Sequence, residues 1–173
     1  MVVDPQIDFI NGSLPVGGAS EAMDRLAEYI MHHDGEYCFK IVTTDWHPYN
    51  HCSFTGNGGE WPAHCIQNTA GAAVYQPLVK PLYTTAGSVK VLRKGVFAGT
   101  EEYSIFKNQI SAKYIDDIVR LLNVGRIDLC GIAGDICVYN TLVDGMAIYG
   151  GSMFSLLKDF CPSIDGGTKL SAF

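Results

Sequence analysis

Apolar residues follow two rhythms along the 173-residue chain. Short, nearly unbroken runs at 1–4, 37–43, 89–92, 127–132 and 153–157 predict strands, since a strand covered on both faces reads as a continuous apolar stretch. Between them, spacings of three and four predict helices: Met23, Leu26, Ala27, Ile30 and Met31 on one face, Ile115, Ile118, Val119 and Leu122 on another, Val138, Leu142, Met146 and Tyr149 on a third. Ser20 is the expected N-cap of the first helix, with Asp34-Gly35 at its end. Residues 8–12 read as loop, 72–87 carry no clear rhythm, and the tail from Cys161 is too short and mixed to assign. Strands alternating with amphipathic helices give an α/β fold, a mostly parallel sheet flanked by helices on both faces, in one domain spanning 1–173.

In such a sheet, sites form at the carboxyl ends of the strands. Asp4, Asp45, Lys94 and Cys137 each follow a different predicted strand at that end. Cys137 comes just after the Gly134-Asp135 break, in the first turn of the next helix, where free N–H groups and the helix dipole are expected to favour a thiolate and an anion forming beside it.

Composition narrows the function classes. A hydrophobic fraction of 47% with 17% charged residues describes a packed globular chain, and a net charge of -6 without a basic cluster argues against nucleic acid and anionic membranes as partners. No apolar run reaches transmembrane length and no charged leader precedes an apolar segment, so a cytoplasmic location is expected, with the six cysteines as reduced thiols.

Two constellations carry chemistry. In the first, Asp4 and Lys94 supply Cys137 with a proton acceptor and a cation, the two things a thiol nucleophile needs. The second lies in the long loop from Asp45 to about Gly71: Asp45-Trp46-His47, then His51, then Trp61-Pro62-Ala63-His64-Cys65. Carboxylate and imidazole two residues apart, with further histidines downstream, suit one divalent transition metal such as zinc, iron or manganese; a closed zinc site using Cys52 and Cys65 is the alternative. His32 and His33 stand at a helix end, where they complement its dipole.

With these residues laid out, the chain resembles the nicotinamidase/pyrazinamidase branch of the isochorismatase-like cysteine hydrolases, from Val2 to about Asp159. The resemblance rests on residues 3–9 (VDPQIDF), 44–48 (TDWHP), 61–65 (WPAHC), 93–95 (RKG) and 131–138 (GIAGDICV), in that order. It implies a Rossmann-like three-layer fold and hydrolysis of nicotinamide to nicotinic acid and ammonia, in NAD salvage, with pyrazinamide as a further substrate. By motif position Cys137 is the implied nucleophile, Asp4 the general base and acid, and Lys94 the residue holding both. The N–H groups of Ala133 and Cys137 are the implied oxyanion donors, beside a cis peptide between Ile132 and Ala133. Asp45, His47 and His64 are the implied metal ligands, with His51 as a further ligand in some members and zinc ahead of iron or manganese. Phe9 and Trp61 match the pair that sandwiches the substrate ring, and Tyr103 borders the pocket. The implied partner is a small aromatic amide; a homo-oligomer is left open. The rival readings are another amidase of the superfamily, of the ureidoacrylate or N-carbamoyl type, and a metal-binding thiol redox module.

Overall fold

A computed structural model describes residues 1–173. Its centre is a five-stranded parallel sheet in the order β3-β2-β1-β4-β5, formed by β1 (Val2–Val3), β2 (Phe39–Asp45), β3 (Ser88–Lys94), β4 (Ile127–Gly131) and β5 (Phe154–Leu156). The chain builds outward from β1 to β3, then returns to place β4 on the other side of β1, with Val2 beside both Val42 and Cys130. The connections therefore diverge beyond the carboxyl ends of β1 and β4, which is where an open sheet leaves a crevice.

The helices cover both faces. On one, α2 (Ala19–His32) packs against α3 (Gln76–Thr84); on the other lie α4 (Gln109–Leu121) and α5 (Tyr139–Tyr149), as right-handed crossovers require when the chain reverses direction across a sheet. Alternation along β2 feeds both layers: Val42 joins the core under α2 and α3, with Met23, Leu26, Leu78 and Leu82, whereas Ile41 meets Leu92, Ile105 and Ile115 under α4. No helix is long and apolar enough to cross a membrane.

Several expectations shift. Residues 8–12 are not all loop: Ile7–Ile10 makes one helical turn, α1, because burying Phe9 and Ile10 outweighs a weak local signal. The cap of α2 is Gly18 at φ 75°, and the Ser20 hydroxyl instead meets the Tyr75 hydroxyl at 3.2 Å. Met31 is 46% exposed, outside the buried face of that helix. The second strand runs two residues later than its apolar run, so that Asp45 ends it rather than follows it. The stretch without rhythm contains α3, hidden by Pro81; an internal proline costs about 3 kcal/mol, which burial of Leu78 and Leu82 offsets. His32 and His33 do lie at the end of α2, each with Nδ1 on a carbonyl of the last turn, at 2.8 Å.

Candidate active site

Asp4 leaves β1 at φ 46°, its N–H bonded to the Thr43 carbonyl at 3.0 Å. One carboxylate oxygen accepts from the Thr43 hydroxyl at 2.7 Å, and the other faces Lys94 Nζ at 2.9 Å. Asp45 and Lys94 end adjacent strands in direct register, and Lys94 Nζ lies 2.5 Å from Asp45 Oδ1 and 3.5 Å from Cys137 Sγ. All four side chains are buried. One ammonium thus compensates two carboxylates away from water, the arrangement that lets charged groups persist in an interior. Gln6 fixes the backbone of Asp45, accepting from its N–H at 2.7 Å and donating to its carbonyl at 2.7 Å.

Cys137 occupies a π-helical turn, Gly134–Val138, that leads into α5. The expectation that the helix start favours a thiolate is corrected here. Burial pushes the thiol well above its ordinary value, with Asp4 and Asp45 adding to the rise, and Lys94 only partly opposes them. Desolvation disfavours the buried anion. Burial likewise raises Asp4 above the usual carboxylate range, partly offset by Lys94. The resting pair is therefore a thiol beside a carboxylate of increased basicity. The peptide bond between Ile132 and Ala133 is cis, and the Ala133 N–H has no hydrogen-bond partner in the protein.

The long loop folds back on itself through a parallel bridge between His47 and Ile66, with the His47 N–H on the Cys65 carbonyl at 3.0 Å. This brings His64, distant in sequence, to a ring separation of 5.0 Å from His47. The ligand atoms of Asp45, His47 and His64 all lie within 4.8 Å of one another. His47 Nδ1 sits 3.0 Å from the Gly95 carbonyl and His64 Nδ1 2.7 Å from the Pro62 carbonyl. A carbonyl only accepts, so both Nδ1 atoms carry the proton and both Nε2 lone pairs are left for a cation. Gly95, at φ 62°, is required here, because a Cβ would come within 2.3 Å of the His47 ring. Burial holds His64 below its ordinary value, which keeps it neutral and ligand-competent. A carboxylate and two such imidazoles, with open positions beyond them, fit a divalent transition metal.

His51 is not part of this group. Its ring lies 4.0 Å from that of His47, yet its Nε2 donates to the Thr100 carbonyl at 3.1 Å and its Nδ1 pairs with the Ser53 hydroxyl at 2.6 Å. With both nitrogens engaged it has no lone pair to offer. Cys52 and Cys65 are also outside the cluster, so the closed zinc site does not form.

A mostly apolar cleft joins the two constellations. Phe9, Trp61, Tyr103, Ala133, Asp45, His47, His64 and Cys137 all line it. Trp61 Nε1 donates to the Tyr103 hydroxyl at 3.0 Å, which fixes both rings, and Phe9 stands 5.4 Å from the His64 ring. The structure also supplies wall residues that sequence reasoning passed over: Leu14, Val16, Glu101, Ile136 and Ile164. Thr43, inside β2, and Gln6, at the N-cap of α1, are buried polar groups that support the rim carboxylates Asp4 and Asp45.

No protein-family model matches the chain. A pyrazinamidase of Pyrococcus horikoshii, solved in complex with zinc, is 34% identical, superposes with a TM-score of 0.81, and is matched over 99% of this chain and 90% of its own. The chain belongs to the nicotinamidase/pyrazinamidase family. PnC1 from L. infantum, solved in complex with nicotinate, is 33% identical with a TM-score of 0.82 over 99% of this chain and 83% of its own. The nicotinamidase/pyrazinamidase of Mycobacterium tuberculosis is 29% identical over 99% of this chain and 90% of its own. Membership in the family accounts for the parallel three-layer architecture.

Proposed function

We propose that the protein is an amide hydrolase that converts nicotinamide to nicotinate and ammonia, with zinc as its metal. The observation that carries this reading is Lys94, which contacts Asp4, Asp45 and Cys137 at once and so puts a nucleophile with its base beside a ligand set in a single cleft. Relatives solved with zinc and with nicotinate support the metal and the ring chemistry.

The roles follow from the chemistry of each group. Cys137 gives its thiol proton to Asp4 as sulfur bonds to the carboxamide carbon. The charge that develops on the carbonyl oxygen is met by the main-chain N–H groups of Ala133 and Cys137, a contribution on the order of 3 kcal/mol per donor. Asp4 returns the proton to the amide nitrogen, the C–N bond breaks, and ammonia leaves a thioester on Cys137. Asp4 then takes a proton from water as the water oxygen bonds to the thioester carbon, and returns it to sulfur as the C–S bond breaks, which releases nicotinic acid and restores both the thiol and the Asp4 carboxylate. Lys94 holds both carboxylates and keeps the sulfur anion compensated when it forms. Asp45, His47 and His64 would hold the metal, which would supply Lewis acidity to bind and orient the substrate ring. Phe9 and Trp61 flank the ring plane, with Tyr103 bordering the pocket. Pyrazinamide keeps a ring nitrogen meta to the carboxamide and is a second substrate.

The test is ammonia release across a panel of aromatic and aliphatic amides, with metal content measured on the same sample. Turnover of nicotinamide and pyrazinamide by metal-containing protein is expected. Hydrolysis confined to ureido or carbamoyl amides by metal-free protein overturns the reading.

A further inference from the structure

The tail that carries no readable pattern forms a strap, residues 161–173, stapled to the turn that bears Cys137. The Gly134 N–H donates to the Pro162 carbonyl at 2.8 Å. The two carboxylate oxygens of buried Asp135 accept from the N–H groups of Ile164 and Asp165, at 3.0 and 3.1 Å. Lys169 Nζ donates to the Asp135 carbonyl at 3.1 Å and lies 4.5 Å from the Tyr139 ring centre. Gly134 permits this approach, for a Cβ there would stand 2.2 Å from Ser163 Oγ and 2.7 Å from the Cys161 carbonyl oxygen. Leu170 anchors the far end in the core.

The consequence falls on one side chain. Ile164 is 56% exposed and still lines the cleft. Its main chain is fixed by a charge-assisted bond to the residue two before the nucleophile, so its position follows that of the Cys137 turn. An apolar branched side chain held at the mouth of a cleft acts as a steric wall toward whatever ring enters.

We infer that Ile164 is a specificity-determining residue, which excludes aromatic carboxamides substituted on the ring edge facing the strap, and that Asp135 is the positioning residue that sets it. This rests on the reading of the protein as an aromatic amide hydrolase. The substrate class is thereby narrowed to flat heteroaromatic carboxamides without a substituent on that edge.

The experiment measures kcat and KM for nicotinamide and for the series of its ring-methylated isomers, with the wild-type protein and the variants Ile164→Ala, Ile164→Phe, Asp135→Ala and the Ile164→Ala/Asp135→Ala double. In Ile164→Ala the ratio of kcat/KM for at least one methyl isomer over that for nicotinamide rises by about 10- to 200-fold, the range one methyl group commands in an apolar pocket. Ile164→Phe lowers the same ratio. Asp135→Ala shifts it in the direction of Ile164→Ala, and the double variant moves it no further, because a loosened strap no longer uses the isoleucine as a wall. A purely structural Asp135 lowers the folded fraction and leaves the ratio alone, and additive effects in the double variant overturn the coupling. Ile164 is exposed, so its variants fold whether or not Asp135→Ala does, and their ratios decide the wall assignment. Nicotinamide turnover with an unchanged ratio for every isomer in Ile164→Ala overturns this inference alone. Wild-type protein without nicotinamide turnover overturns the functional reading and this inference with it.

Discussion

The Lys94 ammonium lies 2.5 Å from Asp45 Oδ1, a contact that ties the ligand cluster to the nucleophile's base, since the same Nζ is 2.9 Å from Asp4 Oδ2. Direct register between Asp45 at the end of β2 and Lys94 at the end of β3 produces it. Replacing this cation leaves two buried carboxylates uncompensated. Lys94→Met is expected to cost about 3–5 kcal/mol in urea unfolding, with activity and bound metal lost together. Loss of activity with native stability and native metal content would contradict the bridging role.

The nucleophile is separable from the metal. Cys137→Ala is expected to reduce ammonia release at least about 10³-fold, in the range seen when a catalytic nucleophile is removed, while metal stoichiometry by elemental analysis stays at the wild-type value. Ammonia production at the native rate would remove Cys137 from the mechanism.

The histidines are expected to divide. His47→Ala and His64→Ala lower bound metal and raise KM for nicotinamide, because each removes an Nε2 left bare by a carbonyl-bound Nδ1. His51→Ala leaves metal stoichiometry unchanged, since both nitrogens of His51 are taken by Ser53 and Thr100. Metal loss in His51→Ala at unchanged thermal stability would reverse that assignment.

The pH dependence has a definite sign. Asp4 accepts the thiol proton only as a carboxylate, and burial raises it above its ordinary value of 3.8 despite Lys94. Activity therefore falls as pH drops through the raised value, and the acid limb of kcat/KM is expected above 3.8. Asp4→Asn removes that limb along with about 10²–10⁴ of the rate. The same shift acts on stability in the opposite sense: the native state prefers protonated Asp4, so its stabilising contribution is full below the unfolded value and fades as pH rises through the folded one. Asp45 is lowered, the Lys94 ammonium opposing the effect of its burial; its contribution is full above 3.8 and is lost as pH falls through the lower folded value. An acid limb at or below 3.8 would rule out Asp4 as the base.

Much of this was legible from residues alone. Continuous apolar runs located the strands of a doubly covered sheet, and the strand ends put Asp4, Asp45, Lys94 and Cys137 on one rim, because strand direction and side-chain period are local properties. What no local pattern could give was decided by tertiary contact. Pro81 concealed α3 until Leu78 and Leu82 found a core to bury in. His51, equivalent to His64 as a letter, is spent on Ser53 and Thr100 once the loop closes. The protonation of Cys137 follows from how completely water is excluded around it, and that depends on every chain segment packed against it. Sequence fixes which groups can ionise, ligate or pack; burial and partners, which only the folded chain creates, decide which of them do.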